Sequence, residues 1–210
     1  MFSGKHKAIL LTVTVAVALF AATPAIRYYF VFPQKEFFTE FWLLDSNHAT
    51  ENLPFNITNG LSSSVFLGVA NHLGTYGYYM IEVKLRNYTE SGPDTPAGTP
   101  SNLPSLYNIR VFVPDQESRE IPLTFSLNYA IDTSNFQKIA TVDSVVVNSV
   151  KVNYNPPLLS YINGTLTGEG VYQGEFACNL FFELWIYNSA LNDFQYHGRS
   201  LGLHLSLTPP

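Results

Sequence analysis

The sequence predicts an all-β fold, an antiparallel two-sheet β-sandwich of the Ig-like kind, preceded by one N-terminal transmembrane helix. Three observations predict it. Ala8 to Ile26 is an uncharged apolar run of 19 residues, within the roughly 17–25 that cross a bilayer core as a helix. Beyond it, apolar and polar residues alternate with period two in one stretch after another, which turns one side of each stretch toward a core. Gly, Asn and Pro turns separate these stretches, and no amphipathic helical spacing intervenes.

The 210 residues divide accordingly: 1–7 a basic cytoplasmic start, 8–26 an anchor or signal peptide, 27–35 a stalk, 36–210 the β-sandwich ectodomain. Lys5 and Lys7 hold the amino end on the cytoplasmic side, which sends the rest of the chain outside. Arg27-Tyr28-Tyr29-Phe30 resembles an interfacial aromatic belt with a cation, as a retained anchor would carry. The competing reading is cleavage after Thr23-Pro24-Ala25, which would secrete the ectodomain.

Composition agrees with an outside location. The chain is 46% hydrophobic and 15% aromatic but only 13% charged, about half the roughly 25% usual in globular chains. Tyr, Asn, Ser and Thr supply the polar surface instead. The net charge of −5 becomes −7 once Lys5 and Lys7 are set aside, and no Lys/Arg stripe exists to displace phosphate counterions. Nucleic acid is therefore not an expected partner. The single Cys178 forbids an internal disulfide. It shares the parity of Phe176, Leu180 and Phe182 and is read as an inert buried thiol.

Taken in order, Phe37 to Leu44 reads as a first strand ended by Asp45-Ser46-Asn47. Asn56 to Leu61 holds the turn Asn59-Gly60. Val65, Leu67 and Val69 then face one way and Ser64, Phe66 and Gly68 the other. Tyr79, Ile81, Val83 and Leu85 alternate with Met80, Glu82, Lys84 and Arg86, a strand with one solvated face. Ser91 to Ser105 has four prolines and no periodicity, and reads as a loop or flexible excursion rather than a domain boundary. Ile109 to Val113 is a short strand. Ile121 to Ile131 alternates throughout, with Pro122 suggesting an edge position. Val142 to Val152 and Leu158 to Thr167 are further strands, with a turn between Gly168 and Gly174. Phe176 to Tyr187 is the most apolar strand, and Leu201 to Leu207 closes the chain after a turn at Asn188 to Asp193.

Three sequons, Asn56-Ile57-Thr58, Asn87-Tyr88-Thr89 and Asn163-Gly164-Thr165, lie beside turn-like residues, which makes Asn56, Asn87 and Asn163 candidate glycosylation sites. Catalytic and metal patterns fare worse. Gly198-Arg199-Ser200-Leu201-Gly202 spells G-x-S-x-G, but a strand rather than a helix follows and no carboxylate lies beyond Ser200. His72, His197 and His204 lack ligand spacing. Asp115, Glu117 and Glu120 around Arg119 lack the glycine turn of a calcium loop. The expectation is no catalytic residue, no metal and no cofactor. One feature remains: Phe181, Trp185 and Tyr187 occupy the outward positions of the most apolar strand. They are a candidate interaction surface for an envelope protein or glycan, unless residues 131–165 cover them.

The order of these pieces is similar to the archaeal family catalogued as domain of unknown function 1616. The similarity rests on Phe38-Thr39-Glu40-Phe41-Trp42-Leu43-Leu44 after a membrane segment, and on Gly68-Val69-Ala70-Asn71-His72. It continues through the Tyr79 to Leu85 strand to a closing hairpin of Leu180 to Trp185 and Gly198 to Leu205. It covers residues 36–130 and 166–207, with 131–165 set apart as an insertion. The resemblance implies a membrane-anchored ectodomain of the archaeal cell envelope and brings no reaction with it. The expected function is accordingly binding or structural interaction at a single-pass membrane protein. The alternatives are a secreted filament subunit, in which Ile26 to Phe32 adds a strand to its neighbour, and a hydrolase using Ser200.

Overall fold

A computed structural model describes residues 4–29, 36–132, 139–166 and 172–208. Its contacts divide the chain into two units, Met1–Glu36 and Phe37–Pro210. The first holds helix α1, Gly4–Tyr29, three to four residues longer at each end than the apolar run. Its 26 residues reach about 39 Å at 1.5 Å per residue, more than the ~30 Å of hydrocarbon in a bilayer. The window His6–Thr23 has a mean hydropathy of 1.7. Apolar side chains such as Leu10, Leu19 and Phe20 are exposed around it rather than gathered on one stripe. The hydroxyls of Thr12, Thr14 and Thr23 donate to the carbonyls of Ala8, Leu10 and Leu19 at 2.9–3.0 Å. Every threonine polar group of the span is thereby satisfied within the helix, as lipid would require. The helix is long and apolar enough to cross a membrane.

The second unit is the β-sandwich. Its first sheet runs β1 (Phe38–Leu44), β3 (Ser63–His72), β6 (Glu117–Asp132), β7 (Ile139–Val147) and the start of β8 (Val150–Leu166). The second runs β5 (Tyr107–Val113), β4 (Gly77–Arg86), β9 (Tyr172–Asn188), β10 (Asp193–Leu207) and β2 (Asn56–Ile57). All pairs are antiparallel except β2 against β10, which is parallel. The core forms where the inward parity of the sheets meets. Val65, Leu67, Leu123, Phe125, Val142 and Val147 come from the first, and Tyr79, Ile81, Phe182, Leu184, Leu203 and Leu205 from the second. Cys178 lies among them with no exposure, and burial pushes its thiol up to about 12.

β8 belongs to both sheets. Val150 to Tyr161 pairs with β7, and Ile162 to Leu166 pairs with β9. The change follows an irregularity where Tyr154 to Pro157 face Asp143 alone, between the pairs Ser144–Asn153 and Val142–Leu158. Pro156 and Pro157 cannot donate to a ladder, so they sit where the ladder breaks.

Two polar ties close the open ends. Asn71, fully buried, donates to the carbonyls of Thr75 and Val113 and accepts from the Tyr79 hydroxyl at 3.1 Å. The same Tyr79 oxygen meets Thr39 Oγ1, so β1, β3, β4 and β5 share one network. Elsewhere the Tyr129 hydroxyl of β6 lies 2.6 Å from the Ile57 carbonyl and 2.8 Å from that of Thr208. Each tie crosses from one sheet to the other.

Several expectations are corrected. The valine-rich stretch 142–152 is no single strand but the β7–β8 hairpin. Asn148 and Ser149 turn it with φ of 46° and 69°, the left-handed pair that a two-residue hairpin needs. Asn148 is bound to Thr124 through both its backbone N–H and its side-chain oxygen. Pro122 does not mark an edge strand, because β6 lies between β3 and β7. Pairing with β7 begins only at Phe125, however, and the missing N–H of Pro122 falls where that neighbour has ended. Residues 131–165 are no appendage to the sandwich: β7 and β8 put Val142, Val145, Val147 and Leu158 into its core. The Ser91 to Ser105 stretch is a loop, as one of the two readings has it, but Ser101 and Thr95 bond it to Glu183 and Ser200 of the second sheet. The turn expected at Gly168 to Gly174 lies partly outside the described residues, with 172–174 already in β9.

Candidate functional site

The outward parity of the second sheet falls into cross-strand rows. Phe112, Tyr78, Tyr187 and Phe194 form the first, Arg110, Met80, Trp185 and Tyr196 the second, and Asn108, Glu82, Glu183 and Ser200 the third. Lys84, Phe181 and Gly202 form the fourth. The first row is wholly aromatic and the third wholly polar, while the second and fourth mix charged with apolar side chains.

The middle of the third and fourth rows is covered, while Asn108 and Gly202 at their ends stay exposed. Lys84 is 3% exposed and Glu183 not at all. The Lys84 ammonium donates to Glu183 Oε2 at 2.8 Å, to the Ser101 carbonyl at 3.0 Å, and lies 3.0 Å from Glu82 Oε2. Ser101 N–H donates to Glu183 Oε1 at 2.6 Å, and Thr95 Oγ1 meets Ser200 Oγ at 3.1 Å. Residues 91–105 therefore reach over β4, β9 and β10. The cover carries its own turn, in which Asp94 and Thr99 exchange backbone bonds. On the face of β4 expected to be solvated, Lys84 is instead buried in a charge-paired layer, while Met80, Glu82 and Arg86 stay half-buried. A long lysine beside glutamates on alternate strand positions reads as solvent-facing from sequence. Only the tertiary cover reverses that reading.

The first two rows carry no such hydrogen-bonded cover. Tyr78 and Phe112 stack at 4.1 Å with an 8° interplanar angle. Phe194 lies 5.1 Å from Tyr78 and 5.4 Å from Tyr187. The Arg110 guanidinium sits 5.6 Å over the Phe194 ring, a cation–π contact. Trp185 meets Tyr196 edge-on at 5.6 Å. Phe112 is 64% exposed, and Tyr76 and Leu191 nearby in sequence are exposed as well. Three buried polar atoms gather in this part of the sheet: Trp185 Nε1, the Tyr196 hydroxyl and His197 Nε2 have no hydrogen-bond partner among the described residues. Burial, helped by the Arg199 charge, holds the His197 imidazole below its usual range.

The structure separates the three aromatic residues singled out from sequence. Phe181 is 3% exposed and belongs to the covered rows, so it offers no surface. The cover comes from residues 91–105; of the 131–165 stretch, the described part beyond 138 lies in β7, β8 and the turn between them. Trp185 and Tyr187 are half-buried and join Tyr78, Phe112, Phe194 and Tyr196, which sequence reading passed over. The available signal was parity: Phe112 shares the outward parity of Asn108 and Arg110, and Tyr78 that of Met80 and Glu82.

The remaining candidates are placed as follows. Ser200 lies inside β10, its hydroxyl on Thr95, with no nucleophile-elbow turn around it. His204 stacks on Phe55 and meets the Tyr88 hydroxyl at 2.6 Å, and His72 stacks on Phe38. Asp115 accepts from Gly74 N–H, Glu117 pairs with Arg119, and Glu120 with His48. Among the described residues no group of three His, Cys, Asp or Glu side chains converges to hold a metal. A cleft of about 630 Å³ lies between Leu85, Asn87, Glu90, Leu103, Tyr154 and Leu158, where burial raises the Tyr154 phenol well above its usual range. Asn56 is exposed, Asn87 is buried, and the Asn163 side chain lies outside the described residues.

The fold and site define an all-β sandwich carrying an apolar helix ahead of it. No family model matches the chain and no curated protein matches it. Among solved structures it is similar to a β-glucosidase from Listeria innocua in complex with glucose, with 12% identity and a TM-score of 0.34. The same enzyme in complex with gluconolactone gives 13% identity and a TM-score of 0.33. Both alignments cover 82% of this chain but only 16% of the enzyme. At those scores nothing about this chain's chemistry follows.

Proposed function

We propose that this chain is a single-pass membrane protein of the archaeal cell envelope whose β-sandwich faces outward and acts by binding rather than catalysis. The observation that carries this reading is the contrast across one sheet face. The same chain covers Lys84, Phe181 and Glu183, while among the described residues none covers the adjoining aromatic rows, headed by the 64% exposed Phe112, in the same hydrogen-bonded way. Aromatic rings give large contact area at low entropic cost.

A photocrosslinking amino acid at Phe112 tests it. In native membranes it should trap an envelope component, while the same probe at Val150, exposed on the first sheet, should not. Equal yields at the two positions, or none at Phe112, would sink the proposal. A filament subunit assembled by strand addition is supported by one observation: β5 pairs only with β4 among the described strands. Against it, Ile26 to Tyr29 of the suggested donor lie in α1, and its remainder is outside the described residues. A mature amino terminus at Ile26 would favour the filament; an intact Lys5 to Lys7 region excludes it.

A further inference from the structure

The sequons are alike in sequence, but the fold does not treat Asn56 and Asn87 alike, and we infer that Asn56 is a site of N-linked glycan attachment while Asn87 is a structural residue closed to it. This rests on the outward orientation proposed above. Asn87 is 8% exposed. Its Nδ2, the atom that would become glycosylated, donates to the Leu159 carbonyl at 2.9 Å and so ties the end of β4 to β8. Its Oδ1 accepts from Thr89 N–H, Thr89 Oγ1 and Glu90 N–H at 2.8–3.0 Å. Both halves of the amide, and the hydroxyl of the sequon threonine, are consumed in one closed turn.

Asn56 and Thr58 are both exposed, and only Ile57 between them is buried. β2 is held to β10 through the carbonyls of Phe55 and Ile57, which accept from Ser206 and Thr208 N–H. By strand alternation the backbone groups of Asn56 then face the open edge of the sheet. Among the described residues no hydrogen bond engages the Asn56 amide. Beside it, Phe55 stacks on His204 with ring centroids 5.0 Å apart, an aromatic shelf on which the C–H face of a first sugar can rest.

The donor is a lipid-phosphate-linked oligosaccharide. Asn56 Nδ2 loses one proton and bonds to the anomeric carbon; the bond from that carbon to the phosphate oxygen breaks, and the lipid phosphate leaves with the electron pair.

The test is glycopeptide mass spectrometry of the full chain, expressed in a prokaryotic host with a membrane oligosaccharyltransferase. Ala97→Asn serves as control, since it places an acceptor two residues before Thr99 on the exposed 94–99 turn. Expected are a glycan on the Asn56 peptide, none on the Asn87 peptide, loss of the first in Asn56→Gln, and modification at position 97 in the control. A modified control with a bare Asn56, or a glycan mapped to Asn87 in the folded protein, overturns the inference and leaves the orientation standing. A bare control together with a bare Asn56 overturns the orientation, and the inference with it.

Discussion

Lys84 sits where a single substitution separates two kinds of loss. Its ammonium neutralises Glu82 and Glu183 beneath the 91–105 cover. Lys84→Ala strands a fully buried carboxylate and should cost about 3–5 kcal/mol, read as a lowered urea midpoint. Lys84→Met combined with Glu183→Leu removes charge from both sides and should recover most of that loss. If the double variant is no better than the single one, the pair is not what holds the layer. His197 gives a pH signature. Because its folded value is depressed, the unfolded chain binds more protons between that value and the ordinary ~6.5. Stability should therefore be complete above that interval and fall as pH drops through it. His197→Phe should flatten this part of a melting-temperature profile between pH 5 and pH 7. Asp45, held low by the N–H groups of Ala49 and Asn47, acts only at lower pH, below the carboxylate range. Of these residues sequence could name Cys178, because parity alone decides its burial. It could not name Lys84 or Asn71, whose burial depends on segments far away in the chain.

At the scale of elements, the β7–β8 turn and the 91–105 cover carry the difference between pattern and fold. Ser149 holds φ of 69° with a side chain that bonds to nothing among the described residues, whereas Asn148 holds its left-handed φ and binds Thr124. Ser149→Gly should raise stability by about 0.5–1 kcal/mol, and Asn148→Gly should lower it, since there a hydrogen bond is lost. Chemical denaturation of the two variants reads both signs. Strand interiors were legible because period-two alternation is a local property. The break at Asn148 was not, because valines on both sides satisfy either one long strand or two short ones. The proline-rich stretch reads as a loop from sequence, but its fixed position does not, for a related reason. Its order comes from Ser101 on Glu183 and Thr95 on Ser200, contacts spanning 82 and 105 residues. Local composition holds no trace of such partners. The aromatic rows were half legible: one strand gave Trp185 and Tyr187, but which strands lie beside it is a matter of topology.

The whole molecule divides after Glu36, and the core of the second unit is drawn from its own strands. A fragment beginning at Glu36 should therefore be soluble and melt cooperatively, with a sheet-type far-ultraviolet spectrum and no partition into lipid vesicles. The full chain should partition into them. Precipitation of the fragment would mean that α1 contributes to the sandwich.

The crossing of β8 matters most when the protein is pulled. On the proposed function, tension from an anchored α1 would enter at β1, in one sheet, while a partner gripping the aromatic rows would haul on the other. Side-chain packing alone would let two such layers shear apart. Here a continuous backbone runs from one to the other, so the load is borne in part by covalent bonds, and a stretched molecule should yield by peeling single strands before its halves separate.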